Sequence, residues 1–385
     1  MAIKYIQEMK ILVVGGGIAG LTLAALLQQR GAKALSIIEK AAHYSEAGYV
    51  LAIWPPGSRI LKGLGLYDRF ADESISAHTY QVADVHGNVL HRYSFEKLTR
   101  EYGPCLCVER SQLIKVLAAG LQQAPQMGLT VKNIKQTDDE AVVEFSDGTE
   151  QSYDLVIGCD GLRSGVRKFI DDTPLNFMGA TGWGFWIDED KLDIDGISEY
   201  WGAGQFFGIY PAKNKVCVFA AVSSKPGQKD PAEERIQKIR DSFGNMGGLV
   251  PDILANLTNT DQIFHDDFND IKIQRWYQGR VCLVGDAAHG ILPSAGMGAS
   301  LAMESAAVLA DELTRADSNQ LEQTFARYVK RRRPRVDKLQ DESRLLWKMM
   351  FVNNQSLAAL RNLLLRHYSE EAFFKTCEPF LADPI

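Results

Sequence analysis

Two glycine-led turns, placed almost at opposite ends of the chain, hold the residues whose types and spacing could do chemistry. The first is Gly15-Gly16-Gly17-Ile18-Ala19-Gly20, between a β-branched run that starts at Ile11 and a Leu/Ala-rich segment. In a strand–turn–helix unit, Gly15 makes the tight turn, Gly17 lets the backbone approach a pyrophosphate, and Gly20 lets helix pack on strand. The helix start, Ala19 included, offers free N–H groups and a positive dipole end to phosphate oxygens. A second strand over 34–38 runs into Glu39 and Lys40. Glu39 stands where a carboxylate of this fold accepts from ribose hydroxyls. A dinucleotide fold follows, but these residues do not separate NAD from FAD.

The second turn makes that separation. A strand over 281–284 ends in Gly285-Asp286-Ala287-Ala288-His289, and after Pro293 the sequence Gly296-Met297-Gly298-Ala299 heads a long helical segment. A second glycine-led helix start with an acid before it is more than a nicotinamide dinucleotide requires. A flavin dinucleotide does require it. Its ribityl hydroxyls suit Asp286, and its pyrophosphate and ring carbonyls suit helix N-terminal N–H groups. Asp286 also reads as a plain helix cap, and His289 as a residue that orders its loop rather than a catalytic base. No nucleophile triad and no metal cluster stands out, so no catalytic side chain and no metal is assigned.

The elements that must position these turns can be read coarsely. Gly48-Tyr-Val-Leu-Ala-Ile-Trp-Pro-Pro-Gly leads into a helix over 58–63, and Glu109-Arg110-Ser111-Gln112-Leu113 opens another that runs to about Gln123. Strands at 129–134 and 141–145 alternate, with Asp147-Gly148 as a hairpin turn. Tyr153-Asp-Leu-Val-Ile-Gly-Cys-Asp160-Gly161 reads as a buried strand ending in a glycine-bearing loop. From about 175 to 273 aromatic alternating segments (182–187, 205–210, 216–222) suit an antiparallel sheet. The fold class is therefore α/β: a discontinuous Rossmann-like domain over 1–174 and 274–345, a mainly antiparallel domain over 175–273, and C-terminal helices over 346–385. Helices at 347–352 and 357–367 carry apolar residues at packing spacing, with covering of a substrate entrance as the second reading. The basic run Lys330 to Arg335 reads as the solvated face of a helix interrupted by Pro334.

Composition sets limits. The chain has 385 residues, 46% hydrophobic and 23% charged, enough for two domains with sizeable cores. A net charge of −6 gives no general attraction to nucleic acid or anionic membranes. The glycines that split the first apolar run argue against a signal peptide, and no uninterrupted tract is long enough to span a bilayer. Six cysteines without a CxxC pair suit a reducing cytoplasm.

Taken together the motifs resemble those of the single-component (class A) FAD-dependent aromatic hydroxylases, the salicylate, hydroxybenzoate, hydroxynicotinate and urate hydroxylase types. The fingerprint at Gly15 to Gly20 matches the family's first motif. The stretch from Tyr153 to Lys168 resembles its DG motif, with Asp160, Gly161, Ser164 and Arg167 at matching positions; the family implicates this segment in NAD(P)H use, so Ser164 and Arg167 are candidates for it. GDAAH, Pro293 and GMG resemble the GD motif, with Asp286 on the ribityl chain and Pro293 beside the ring. Met297 stands where Gln is common, a position at which backbone matters more than side chain. Arg110 matches an arginine that reaches the FAD.

The resemblance implies non-covalent FAD, NADPH or NADH as transient co-substrate, and transfer of oxygen from a flavin C4a-hydroperoxide to an aromatic or polyketide-like small molecule. It implies a monomer or homodimer with no nucleic-acid partner. Trp183, Phe185, Tyr210 and Phe219 are candidates for the substrate pocket. The 205–209 segment offers no arginine for a urate-type substrate. A tetracycline-inactivating monooxygenase shares the three motifs and stands as an alternative. A halogenase is disfavoured because Gly182-Trp-Gly-Phe-Trp-Ile-Asp188 displaces that group's second tryptophan and replaces its proline. An oxidase and a non-catalytic flavin-binding sensor complete the alternatives.

Overall fold

The computed structural model describes residues 3–44, 48–188, 194, 196–260 and 263–382. The fingerprint strand, Lys10–Val14, is buried from Ile11 onward and lies between two parallel neighbours, Leu155–Gly158 and Ala34–Glu39. An apolar run without alternation is what a strand covered on both faces needs. Val281–Leu283 adds in parallel on the far side of Leu155–Gly158, and the short strands Gln126–Met127 and Tyr277–Gln278 finish the six-stranded sheet. The nucleotide sheet thus draws strands from both halves of the chain, as the repeated strand-then-glycine pattern implies.

The helices that follow the two turns, Ile18–Gln29 and Gly298–Thr314, come together at small residues. A Cβ on Gly285 would lie 2.8 Å from the Ala19 Cβ and 3.4 Å from that of Ala302. Two helix expectations shift at their ends. The helix expected over 58–63 begins at Pro55, whose fixed φ suits a first turn. The one expected to reach Gln123 stops at Ala119, where Gly120 packs beneath Leu66. The strand expected over 129–134 is Val131–Gln136, and it pairs with Ala141–Phe145 in a separate three-stranded sheet.

A seven-stranded sheet forms the second layer, in the order Phe264–Asp270, Asn176–Asp188, Lys215–Ser223, Gln205–Ala212, Ile197–Trp201, Thr79–Ala83, Val89–Ser94. It is not confined to 175–273: Thr79–Ala83 pairs in parallel with Ile197–Trp201 and carries Val89–Ser94 on its other edge. A sequence boundary drawn where aromatic alternation begins therefore misses two strands that precede it.

Side-chain alternation gives this sheet two unlike faces. Trp183, Phe185, Tyr200, Phe207, Ile209 and Val218 form one core with Ile239, Phe243, Val250 and Ile253 of the helices Arg235–Phe243 and Val250–Asn256. The opposite parity, Gly182, Gly184, Glu199, Trp201, Gly208, Tyr210 and Phe219, turns away from those helices. That face packs on the C-terminal segment, with Phe268 4.7 Å from the Trp347 ring and Phe206 6.3 Å from Phe351.

The C-terminal region corrects two expectations. Leu321–Met350 is one helix that runs straight through Pro334. Its basic run is a solvated face only in part: Lys330 and Arg331 are exposed, but Arg332 is buried. Arg332 and Arg335 reach the fully buried Glu304 carboxylate at 2.9 and 2.6 Å, while Arg331 and Arg327 pair with Glu312. Removing either partner of such a buried cluster leaves an uncompensated charge, so these pairs lock the last long helix onto Gly298–Thr314. Two more helices follow, Gln355–Arg366 and Glu370–Leu381. On the first, Ala358, Arg361 and Leu365 point inward, but Leu357, Leu360, Leu363 and Leu364 are exposed, so its apolar spacing is only half used for packing.

Candidate active site

The first turn is built by close approach. Gly15 has φ +110°, and a Cβ there would sit 2.4 Å from the Cys159 carbonyl oxygen; one on Gly20 would lie 2.0 Å from the Gly15 oxygen. The fingerprint loop is thereby pressed onto the end of the Leu155–Gly158 strand. Gly17 is different: nothing lies within 4 Å of its Cβ position, and as the residue before the helix it offers no capping side chain. The helix therefore starts with uncapped N–H groups facing open space, the arrangement that receives a phosphate. Gly161 is equally open at φ +79°.

Glu39 accepts from the Gly16 and Ala41 N–H groups, both at 2.9 Å, and each carboxylate oxygen keeps lone-pair capacity for a ribose. Lys40 beside it is exposed. Tyr44, which the sequence reading passed over, donates to the Gly16 carbonyl at 2.9 Å and closes the loop from outside.

At the second turn Asp286 has an exposed side chain, yet it is set deep among protein atoms. Burial pushes its carboxyl up to about 6 against the pull of Arg110. A carboxylate that solvent reaches but protein surrounds marks the floor of a recess. Arg110 and Asp286 share that recess with Tyr49, whose hydroxyl is raised by burial and feels both charges. Pro293 and Gly296 are exposed along the same loop, and the Gly298–Thr314 helix begins without a side-chain cap. Met297 turns its side chain into the core and Ala287 is buried, so these two offer backbone only.

The DG segment holds a surprise. Asp160 accepts from the Ser164 hydroxyl at 2.5 Å and from the Gly165 and Val166 N–H groups at 2.7 and 3.1 Å. Arg167 donates to the Ala287 carbonyl at 3.1 Å and the Leu162 carbonyl at 2.8 Å. Ser164 and Arg167 are both buried, so they are spent inside the protein and present no surface to a nicotinamide nucleotide. Their structural effect is to tie the DG loop to the GDAAH turn. His289 is likewise internal: its Nε2 meets the Ser305 hydroxyl at 2.9 Å, and burial holds the ring down to about 3, neutral at working pH.

Of the four aromatic candidates the sheet register divides two from two. Trp183 and Phe185 belong to the helix-covered core, with the Trp183 indole donating to Asp230 at 3.3 Å, and cannot line a pocket on the other side. Tyr210 and Phe219 are on the opposite face, where Gly208 stands directly across from Phe219 and the Tyr210 ring folds over Gly208. Gly184, also on this face, has Phe219 at 3.7 Å and Phe264 at 3.8 Å from its Cβ position. Gly184 is thus the open position on this face, between Phe219 and Phe264, while the Tyr210 ring already covers Gly208. Trp54 links this face to the second turn, packing in the same apolar cluster as Tyr210 while its indole nitrogen comes within 3.7 Å of the Cβ position of Gly296. The Trp-Pro-Pro stretch was visible in the sequence as a helix start, but nothing in its spacing pointed to this role.

Two uncapped helix starts, open space beside Gly17 and a surrounded yet accessible Asp286 fit an extended dinucleotide with a polyhydroxyl middle. A sequence profile described as FAD binding domain matches residues 8–343. The chain belongs to that family. It is a flavin-dependent monooxygenase. A curated flavin-dependent monooxygenase from an unknown prokaryotic organism is 29% identical, covering 86% of this chain and 87% of its own. The 2-heptyl-3-hydroxy-4(1H)-quinolone synthase of Pseudomonas aeruginosa is 26% identical over 93% of this chain and 94% of its own. Among solved structures, Klebsiella pneumoniae HpxO complexed with FAD and uric acid superposes with a TM-score of 0.89 at 24% identity, covering 99% of each chain, and so shares the fold. Among the described residues of this monooxygenase no helix is long and apolar enough to cross a membrane, and no group of metal-ligating side chains assembles.

Proposed function

We propose that the protein uses NAD(P)H and molecular oxygen to hydroxylate a planar, electron-rich aromatic or polyketide-like small molecule, held between the second glycine turn and the Gly184 face of the seven-stranded sheet. The observation that carries this reading is the open backbone at Gly184, walled by Phe219 and Phe264, with the Tyr210 ring beside it over Gly208 and Trp54 joining the Tyr210 cluster to Gly296. Flat glycine backbone below and aromatic edges beside make a slot that suits a ring system. The hydroxyquinolone that one relative is named for making and the uric acid bound by one structural neighbour are both planar heteroaromatics.

Bound FAD would supply the transfer of two electrons from NAD(P)H and the activation of oxygen. The chain's own residues do the rest. Gly17 and the start of Ile18–Gln29 would receive the pyrophosphate, Glu39 the adenosine ribose, and Asp286 with Arg110 the ribityl end. The stretch of backbone from Pro293 to Ala299 would lie along the ring. Trp347 and Phe351, packed on Phe268, close the sheet face against water. Six free cysteines, five of them buried, fit a reducing cytoplasm, and the assembly is read as a monomer or homodimer.

The purified protein should be yellow and release FAD on heating. Asp286→Ala should weaken FAD binding by roughly 1.5–3 kcal/mol, the worth of hydrogen bonds to a charged group, read by flavin fluorescence titration. Incubation with NADPH and labelled oxygen, across phenolic acids, hydroxylated N-heterocycles, quinolones and tetracyclines, should place one labelled atom in a product. Stoichiometric peroxide with no incorporation would make it an oxidase instead.

A further inference from the structure

The face that holds Gly184 also carries a buried carboxylate that the reading above leaves without a role. Glu199 is 9% exposed, and among the described residues its carboxylate accepts from three neutral donors. Tyr80 donates to Oε2 at 2.7 Å, Trp201 Nε1 to Oε2 at 2.9 Å, and Tyr210 to Oε1 at 2.8 Å. Three cations near this face are engaged elsewhere. Lys215 pairs with Glu109 at 2.5 Å, and Arg163 makes a two-pronged pair with Asp266 at 2.5 and 2.8 Å. Arg361, stacked on Trp201, donates to the carbonyls of Trp201, Gly202, Met349 and Met350.

This arrangement fixes the sense of the Tyr210 hydroxyl. A phenol has one hydrogen to give, and here a carboxylate takes it, so what Tyr210 presents outward is lone pairs only. Its ring lies across Gly208, beside Phe219, next to the open position at Gly184. A ligand seated there meets an acceptor backed by a negative charge. A ring N–H or O–H satisfies that acceptor, whereas a carboxylate meets repulsion and leaves the acceptor unpaired, each costly in a dry site.

We propose that Glu199, through Tyr210, makes this pocket select substrates that donate a ring N–H or O–H and reject those that carry a carboxylate. Resting on the monooxygenase reading, the inference narrows its substrate class to uncharged hydroxy- or oxo-heteroaromatics and phenols. Tyr210 is the specificity-determining residue and Glu199 its positioning residue. Burial raises the Glu199 carboxyl from its ordinary value, the usual cost of holding a charge where three neutral donors are its only compensation.

The test uses the FAD-bound protein and the perturbation of its flavin absorbance on titration, which needs no turnover. The wild type should bind 4(1H)-quinolone at least tenfold more tightly than N-methyl-4-quinolone, which lacks the donor, and more tightly than salicylate. Glu199→Gln, which lets the tyrosine hydroxyls turn outward by supplying an amide donor, should erase the N–H preference and improve salicylate binding. Tyr210→Phe, which leaves Glu199 two of its donors, should erase the preference without improving salicylate. Equal affinity for the quinolone and its N-methyl form, salicylate binding that matches the quinolone, or no response to quinolone, 2-pyridone and phenol alike would each overturn the proposal. Failure to bind FAD at all would instead overturn the reading on which it rests.

Discussion

The two faces of the seven-stranded sheet are made from the same strands and both carry aromatic residues, yet they are built in opposite ways. On the helix side, large side chains interlock: Phe207 is fully buried with its ring 5.3 Å from Phe243, and Trp183 packs at 6.5 Å from the same ring. On the opposite side glycines stand at 182, 184 and 208: the Phe268 and Tyr210 rings fold over Gly182 and Gly208, and Gly184 alone keeps its Cβ position clear of anything closer than 3.7 Å. Aromatic residues alone therefore do not tell the two faces apart. An open glycine such as Gly184 is the better marker of a ligand site, because a close-packed interior otherwise leaves no space for one.

The difference can be broken from either side. Phe207→Ala should cost about 3–5 kcal/mol of stability, the range for truncating a buried phenylalanine, measured by denaturant unfolding, while the affinity of the surviving folded protein for quinolone stays unchanged. A comparable loss of ligand affinity would show that the two faces are not separate. Gly184→Val addresses the other face. The Cβ position there meets only ordinary contacts, at 3.7 and 3.8 Å, so the fold should tolerate the change. The added methyls enter the open space there, and kcat/KM for the aromatic substrate should fall about tenfold, or about 1.4 kcal/mol. An unchanged kcat/KM would move the substrate off this face.

What could be read from the sequence follows the same division. The glycine turns were legible because backbone geometry dictates residue type there: Gly15 and Gly20 stand where any Cβ would collide with main chain, and so their spacing carries the fold and the cofactor with it. The lining of the pocket was not legible in the segment Gly182-Trp183-Gly184-Phe185-Trp186, where period two says that Trp183 and Phe185 share a face but not which face is covered by helices. Ser164 and Arg167 show a related limit. Their positions match a motif, but their burial, and the bond from Arg167 to the Ala287 carbonyl, depend on a turn more than a hundred residues later. Glu304 needed partners at 332 and 335 to make sense of an acid inside an apolar helix. Local patterns give the loops; partners that meet only in the folded chain give the rest.

The smallest effect separates the faces by proton linkage, because Glu199 on one face and His265 on the other are shifted in opposite directions. On the Gly184 face burial raises the Glu199 carboxyl above its ordinary 4.5. The folded protein therefore holds that proton more tightly than the unfolded chain, and the group's contribution to stability is present below 4.5 and lost as pH rises through the folded value. On the packed face burial lowers His265 below its ordinary 6.5, although Asp230, 3.6 Å from Nδ1, pulls the other way. Its contribution is present above 6.5 and lost as pH falls through the folded value. Melting curves of the FAD-free protein between pH 4 and 8 should then respond in opposite senses. Glu199→Gln should remove part of the decline on the alkaline side of 4.5, and His265→Gln part of the decline on the acid side of 6.5. If both variants flattened the same limb, the two groups would share one environment, and the separation of the faces would not hold.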